Sequence, residues 1–231
     1  MAKRKRQVIG DVSGKALGML RDLMDKLQGG AITLREFELF LNRQNPFVTP
    51  DDIREEWQEF YTRVFGLTVD LTEVRIPEER PGFDRALFIP QGLTMNQAIA
   101  ACRKRFKVYT HVDDLDRDVS MSDRSPKSGA YAIRLRDRRE ADEELKNLSA
   151  NMLAERGTSG ITLLERLVLE LKYHYETGEH LDVENVTLCS GSRRSVGSVP
   201  DVHWGDGGLY VDWSSAGRAH DRLRSRAVVS V

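Results

Sequence analysis

The sequence predicts an α+β protein, in which an N-terminal helical unit is followed by a mixed α/β domain that ends in a β-hairpin. Two observations lead to this prediction. Apolar residues in the first 66 positions recur with the 3.6-residue period of amphipathic helices. Short β-rich stretches then alternate with helical ones, and the last pair flanks a glycine-rich turn at residues 205–208. Helices collected at one end of a chain that also carries antiparallel strands are typical of the α+β class.

Composition places the chain among soluble globular proteins. It has 231 residues, of which 40% are hydrophobic and 31% charged, with a formal net charge of −1. That charge excludes a protein whose overall field attracts nucleic acid or membrane, so such a role would need a local patch. The basic start has no apolar segment behind it, and no apolar run reaches the ~20 residues of a membrane span. We therefore expect a cytoplasmic protein with no membrane partner, in which Cys102 and Cys189 are free thiols.

Three helices are predicted in residues 13–66, after a basic flexible arm at residues 1–12. Capping residues, a first-turn proline and terminal glycines mark their ends. The predicted spans are Ser13 to Gly29, Thr33 to the residue before Asn45, and Thr49 to Gly66. Because all three are amphipathic and joined by short loops, they are predicted to form a helical hairpin or a small bundle, and their apolar faces are a candidate surface for homo-oligomer formation.

Residues 67–231 are predicted to form the α+β domain. Its predicted strands are residues 68–76, 85–89, 108–112, 131–135, 186–189, 202–204 and 209–213. Its predicted helices begin at Thr94, at Asp137 and at Thr162, and the last ends at Gly178. The pairs Arg166/Glu170 and Lys172/Glu176 are four residues apart, which predicts ion pairs on the solvent face of that last helix. The polar stretch 112–130 is predicted to be a loop.

The stretch VTLCSGSRRSVGSVPDVHWGDGGLYVDW, residues 186–213, first suggests a thiol beside an anion-binding loop. A thiolate phosphatase loop requires an arginine six positions after the cysteine, whereas Arg193 and Arg194 follow Cys189 by four and five. The spacing therefore predicts an inert cysteine in a buried strand. The alternating positions Val202, Trp204, Leu209, Val211 and Trp213 predict the buried face of a hairpin, so that His203 and Tyr210 point outward.

Basic and aromatic residues near the C-terminus, together with the N-terminal arm, suggest a binding surface. Guanidinium groups interleaved with aromatic rings are typical of surfaces that bind single-stranded nucleic acid. The candidate binding residues are Lys3, Arg4, Lys5, Arg6, Arg193, Arg194, His203 and Tyr210. This pattern favours a non-enzymatic protein that engages nucleic acid or a protein partner.

A metal-dependent phosphodiesterase or hydrolase is the alternative. Its candidate ligands lie in the acidic loop and are Asp113, Asp114, Asp116 and Asp123. The loop is not a calcium-binding EF-hand, because Val119 replaces the required glycine and Ser125 the required glutamate. Glycine-rich nucleotide motifs and the common hydrolase motifs are missing, so the sequence predicts no cofactor.

Three segments resemble a family of short hypothetical proteins from uncultivated, small-genome bacteria, for which no activity is known. They are RPGFDR at 80–85, ADEELKNLSANMLAERGTSGITLLERLVLELKYHYETGEHLDVENVTLCSGSR at 141–193 and LRSRAVVS at 223–230. Arg194 departs from the family pattern, which carries an aromatic residue there. The resemblance implies a bacterial, cytoplasmic setting and implies no chemistry.

Overall fold

The computed structural model describes residues 14–41 and 49–231 and confirms an α+β fold. The predicted basic arm, with Lys3, Arg4, Lys5 and Arg6, lies outside the described residues. The chain forms two compact units that divide between Thr49 and Pro50. The sequence placed this division at residue 66. It falls earlier because Trp57, Phe60 and Tyr61 of the third helix are buried in the core of the second unit.

The first unit contains helices α1, Gly14–Gln28, and α2, Leu34–Leu41. The predicted capping box of α2 is confirmed: the Thr33 amide donates to Glu36 Oε2 at 2.6 Å, and the Glu36 amide donates to Thr33 Oγ1 at 3.2 Å. Both helices expose large apolar side chains, namely Leu17, Met19, Leu20, Met24, Leu34, Phe40 and Leu41. A homo-oligomer through these helices stays a prediction.

The second unit contains five further α-helices and ten strands. The helices are α3 Pro50–Phe65, α4 Met95–Arg103, α5 Leu115–Asp118, α6 Ala150–Glu155 and α7 Leu163–Thr177. The strands are β1 Arg85–Ile89, β2 Lys107–Thr110, β3 Val119–Ser122, β4 Tyr131–Leu135, β5 Val186–Leu188, β6 Ser192–Arg194, β7 Val199–Gly205, β8 Gly208–Ser214, β9 Leu223–Arg224 and β10 Val228–Ser230. Most predicted elements are found within a few residues of their predicted positions.

The strands form three sheets. A three-stranded antiparallel sheet has the order β1-β4-β10, and β3 pairs with β6 in a two-stranded ribbon. The third sheet has the order β2-β8-β7-β5-β9, with β2 parallel to β8 and β5 parallel to β9. β7 and β8 form an antiparallel hairpin in the middle of this sheet, so a further strand pairs with each edge of the hairpin.

Helix α7 is the central element of the second unit. Its predicted ends are confirmed by the Thr162–Glu165 capping box and by Gly178, which adopts a left-handed φ of 73°. The prediction that one side of α7 faces solvent is wrong, because every residue from Leu163 to Lys172 is buried. Arg166 and Glu170 do pair, at 2.8 Å, but both side chains are fully enclosed.

Two elements predicted from local pattern are absent from the described residues. The stretch 68–76 forms no strand, because side chains of α3 bind its carbonyl groups: Gln58 donates to Val69 and Arg54 to Val74. The helix predicted from Asp137 is replaced by an irregular segment with one 3₁₀ turn at Glu143–Leu145. The cause is tertiary, since the buried Arg226 guanidinium binds two backbone carbonyls of this segment.

Candidate functional site

The five-stranded sheet has two chemically different faces. Its inner face packs on the main core through the alternating hairpin residues, which confirms the predicted burial of Val202, Leu209 and Val211, with Trp204 and Trp213 partly buried beside them. The opposite face, which we call the outer face, carries polar and aromatic side chains on β2, β7 and β8. Its residues are Tyr109, His111, Asp201, His203, Tyr210 and Asp212.

The hairpin turn sets which outer-face residues meet. Asp206 and Gly207 have φ values of 46° and 73°, and positive φ at both central positions is the geometry of a two-residue turn that fits twisted strands. In the resulting register Asp201 lies opposite Asp212, and His203 lies opposite Tyr210. The two carboxylates and the imidazole are therefore held by strand backbone rather than by loops.

Strand β2 completes the outer face from a distant part of the chain. It runs parallel to β8, with Tyr109 beside Tyr210. The next outward position after Tyr109 is His111, whose Nε2 lies 3.2 Å from Asp212 Oδ1. A second imidazole thus reaches the same carboxylate from the neighbouring strand.

Asp201, His203 and Asp212 form a group of potential metal ligands. One ligand atom from each lies within 4.8 Å of the others, and this is the one such group of three or more found among the described residues. His203 Nδ1 is enclosed by protein and has no hydrogen-bond partner within the described part of the chain. The Cδ2–Nε2 edge of the ring lies toward Gly205, so Nδ1 is on the other side of the ring.

Asp201 is buried at the centre of this group. Burial raises the pKa of its carboxyl group, and the nearby charge of Asp212 raises it further, while a hydrogen bond from Ser214 Oγ at 2.7 Å opposes both effects. Two carboxylates this close repel each other when both are ionised. A bound cation would remove that repulsion.

Aromatic rings form a row beside the carboxylates. Tyr109 stacks on Tyr210 with ring centroids 4.6 Å apart, and Tyr210 stacks on His203 at 5.1 Å. Gly208 makes room for this row, because a Cβ there would lie 2.5 Å from Cε2 of Tyr109. Strand β2 is an edge strand, so no further strand covers Tyr109, which remains 42% exposed.

Two cavities open on the outer face and share His111 and Asp212 in their walls. One, of about 460 Å³, also contains Asp201 and His203, and the segment 218–222 borders it with three basic side chains: Arg218, His220 and Arg222. The other, of about 370 Å³, lies against Tyr109 and Tyr210 and is bordered by Arg103. Arginine side chains therefore border both cavities, and the Asp212 carboxylate lies in the walls of both.

A larger cavity of about 880 Å³ opens beside β4 and α6. Two of the polar side chains in its wall are bound within the protein: the Arg124 guanidinium binds Glu165 at 2.7 Å and Ser159 Oγ at 3.0 Å, and Tyr131 donates to Glu165. Burial and the adjacent Glu165 raise the pKa of Tyr131, so it remains a neutral donor. We interpret this cluster as a structural clamp on the start of α7.

Cys189, Arg193 and Arg194, which the sequence suggested as parts of a thiol or binding site, are held by contacts within the protein. Burial raises the pKa of the Cys189 thiol, as expected for an inert strand cysteine. Arg193, on β6, donates to the carbonyls of Ser190 and Ser192, and burial lowers the pKa of its guanidinium. Arg194 pairs with Asp118 at 3.0 Å and lies 4.4 Å above the Trp213 ring. Neither arginine borders the two outer-face cavities, whereas His203 and Tyr210 are on the outer face as predicted.

The prediction that 112–130 is a loop is wrong, because it contains α5 and β3, and its four candidate aspartates are spread over different contacts. Asp116 accepts from the Met95 and Asn96 amides at the start of α4, and Asp114 accepts from the Asn96 side chain at 2.8 Å. This hydrogen bond and one from the Arg117 amide lower the pKa of Asp114. Asp113 is exposed, and Asp123 borders the large cavity. Among the described residues these four carboxylates do not converge on one point.

Sequence reasoning missed Asp201, Asp212, His111 and Tyr109. The signal for the first two was present, since the turn Asp206-Gly207 fixes the register that sets Asp201 opposite Asp212. The sequence carried no such signal for His111 and Tyr109, because the parallel pairing of β2 with β8 joins segments about one hundred residues apart.

Comparison with known proteins gave no family or structural relative: no protein-family model, curated protein or solved structure matches this chain. The resemblance to a bacterial family therefore stays a prediction. None of the described helices has the length and apolar character needed to cross a membrane.

Proposed function

We propose that the protein is a metal-dependent phosphoesterase whose centre is formed by Asp201, His203 and Asp212. The observation that carries the proposal is the approach of two carboxylates and an imidazole to within 4.8 Å on rigid strands. The buried His203 Nδ1, without a hydrogen-bond partner among the described residues, strengthens it. One nitrogen and two carboxylate ligands suit a divalent transition ion such as Mn²⁺ or Zn²⁺.

The surroundings of the cluster favour a phosphate ester as substrate. Arg218 and Arg222 border the same cavity as the three ligands. Guanidinium groups match the geometry of phosphate oxygens and stay charged at all physiological pH values. The proposed site thus combines a cation with two positive side chains, the set of charges that stabilises a phosphoryl group under attack.

The proposed reaction is hydrolysis. A metal ion held by Asp201, His203 and Asp212 would supply Lewis acidity and would lower the pKa of a bound water. The attacking water releases one proton to the solvent and its oxygen forms a bond to phosphorus, while the bond from phosphorus to the leaving oxygen breaks and that oxygen takes up a proton. Histidine is the side chain that most often transfers protons in catalysis. His111, exposed and 3.2 Å from Asp212, is the residue we assign to that transfer.

Metal binding is tested by calorimetric titration of the EDTA-treated full chain with MnCl₂ and with ZnCl₂. We expect one site per chain, lost in D201N and in D212N. The matched control is D206N, because Asp206 is an exposed turn residue on the same hairpin, and its left-handed φ of 46° tolerates asparagine. A site that survives both D201N and D212N but disappears in a D113N/D123N variant would move the metal to the acidic loop.

Activity is tested with bis(p-nitrophenyl) phosphate and Mn²⁺. We expect turnover that H111A lowers and D212N abolishes, while D206N leaves it unchanged. An H111A variant with unaltered metal affinity but a lowered rate across the pH range would support the proton-transfer role. Metal binding without any hydrolysis would contradict the enzymatic part of the proposal and favour the non-enzymatic binding protein.

A further inference from the structure

We propose that the substrate of the outer face is single-stranded nucleic acid, with a base stacked on Tyr109 and the backbone following the arginines. This inference rests on the proposed function for its chemistry but not for its binding, which depends on Tyr109 and Arg103 in addition to Arg218 and Arg222. The observation behind it is that an aromatic row and a line of positive charge meet at the carboxylate cluster.

The aromatic row has an open end. Tyr210 has Tyr109 on one side and His203 on the other, so both faces of its ring are used. Tyr109 stacks on Tyr210 with one face and lies on the edge strand, where no further strand follows. A base added there would continue an existing stack, and a stacked base makes few demands on its identity.

The dimensions of the cavities fit this arrangement. The cavity of about 370 Å³ is bordered by both tyrosines and by Arg103, and it shares His111 and Asp212 with the cavity that contains the metal-ligand group. A volume of that order is within the range of small-ligand pockets. A base at Tyr109 therefore leaves its attached phosphate next to Asp212, where the proposed ion would act.

The arginines on the outer face favour a ligand with several phosphate groups over a ligand with a single phosphate group. Arg103 borders one of the two cavities, Arg218 and Arg222 border the other, and Asp212 lies in the walls of both. The whole protein has a net charge of −1, so these three arginines are a local concentration of positive charge. Duplex DNA keeps its bases stacked within the helix, which leaves Tyr109 nothing to bind, whereas a single strand presents free bases.

Binding is tested by fluorescence anisotropy in EDTA, with a labelled mixed-sequence twelve-nucleotide single-stranded DNA, the matching RNA and the matching duplex. We expect preference for the single strands. Y109A should weaken that binding about 5- to 100-fold, which corresponds to the loss of about one stacked base. Y109F should bind as the wild type does, because it keeps the ring. Y175A is the matched control, since Tyr175 is equally exposed but lies on α7.

Salt dependence tests the contribution of the arginines. Each phosphate contact contributes about −0.7 to the slope of log K against log salt concentration for a single strand. Contacts from three arginines therefore predict a slope of about −2, which R103A and R218A should each reduce by about 0.7. A slope near zero would overturn the inference.

The remaining outcomes separate this inference from the proposed function. No binding of either single strand at low salt, or binding unaffected by Y109A, overturns the inference even if bis(p-nitrophenyl) phosphate is hydrolysed. Binding of the single strands that is lost in Y109A supports the inference even if no metal binds and nothing is hydrolysed. Equal affinity for duplex and single strand would show attraction by charge alone and would also overturn it.

Discussion

At the scale of one residue, the buried Asp201 carboxyl group of the proposed site lowers the stability of the folded protein. Burial, with the charge of Asp212 added, raises the pKa of the Asp201 carboxyl group. The folded protein therefore holds this proton more tightly than the unfolded chain does. Stability falls as the pH rises above the ordinary aspartate value of 3.8, and the full cost is present once Asp201 is ionised.

We predict that D201N is more stable than the wild type at pH 7.5 in EDTA. Asparagine can still accept the hydrogen bond from Ser214, and the repulsion from Asp212 is gone. The expected gain is about 2–4 °C in melting temperature, which corresponds to ~1 kcal/mol in a domain of this size. Differential scanning calorimetry from pH 7.5 toward pH 4.5 should show the gain shrinking as Asp201 in the wild type takes up its proton.

The same measurement with saturating Mn²⁺ should reverse the order of the two proteins. An ion at one hundred times its dissociation constant stabilises the wild type by about 2.7 kcal/mol and leaves D201N unchanged. A D201N variant that melts below the wild type in EDTA at pH 7.5 would mean that the Asp201 carboxylate stabilises the fold and is not strained by its neighbours.

At the scale of elements, the β7–β8 hairpin and strand β2 decide what the outer face can do. The hairpin register follows from the two-residue turn Asp206-Gly207, and a sequence reader can derive it. The close packing of β2 against β8 depends on Gly208, because a Cβ at this glycine would overlap the Tyr109 ring. No local pattern in the sequence marks that contact, which pairs two residues about one hundred positions apart.

We predict that G208A destabilises the protein by about 1–3 kcal/mol, the usual cost of forcing an extra methyl group into a packed position. Its Cβ would lie 2.5 Å from Cε2 of Tyr109 and 3.1 Å from the Lys107 carbonyl oxygen. Urea denaturation measures the effect. The control is G217A, because a Cβ at Gly217 has nothing closer than the Asn151 amide at 3.9 Å.

A double-mutant cycle identifies the cause of the G208A effect. In the Y109A background the ring is gone, so most of the cost of G208A should disappear. Equal costs in both backgrounds would mean that the carbonyl of Lys107, and not the stacked ring, limits the space over Gly208.

At the scale of the whole molecule, a buried ion network links distant segments of the second unit. Asp182 accepts from Arg226 at 2.7 Å, from Arg166 at 2.9 Å and from the Ala141 amide at 2.8 Å. Burial by itself raises the pKa of the Asp182 carboxyl group, but the two arginines outweigh it and lower that pKa below its ordinary value. The network joins α7 to the C-terminal strands and to the irregular segment after β4.

We predict that D182A destabilises the protein by about 3–5 kcal/mol, because it leaves buried guanidinium groups without their carboxylate. Urea denaturation at pH 7 is the measurement. The control is D137A, since Asp137 is 57% exposed and its ion pair with Arg85 should contribute no more than about 1 kcal/mol. The D182A effect should begin to shrink as the pH falls below 3.8 and should be lost only when the pH passes through the lower pKa that Asp182 has in the folded protein. Similar effects of D182A and D137A at pH 7 would contradict a central role for the network.

Prediction from sequence succeeded where local chemistry fixes structure and failed where distant segments compete for the same backbone. The capping boxes of α2, α4 and α7 are local, and all three form. The helix expected from Asp137 failed because Arg226 binds its carbonyls from the other end of the chain. The solvent face expected on α7 failed for a related reason. Arg166 is buried because Asp182, outside the helix, pairs with it in addition to Glu170, and Lys172 pairs with Glu56 of α3.

The sequence by itself determined the fold class, most of the helices and strands, the inert state expected for Cys189, and the outward direction of His203 and Tyr210. Each depends on periodicity, capping or spacing, which act over a few residues. The turn Asp206-Gly207 also encodes the register that sets Asp201 opposite Asp212 on the strand that carries His203. Only the tertiary structure decided that His111 and Tyr109 join them and that the aspartates of residues 113–123 do not converge. Those contacts depend on strand pairing between segments far apart in the chain, and no short pattern encodes that pairing.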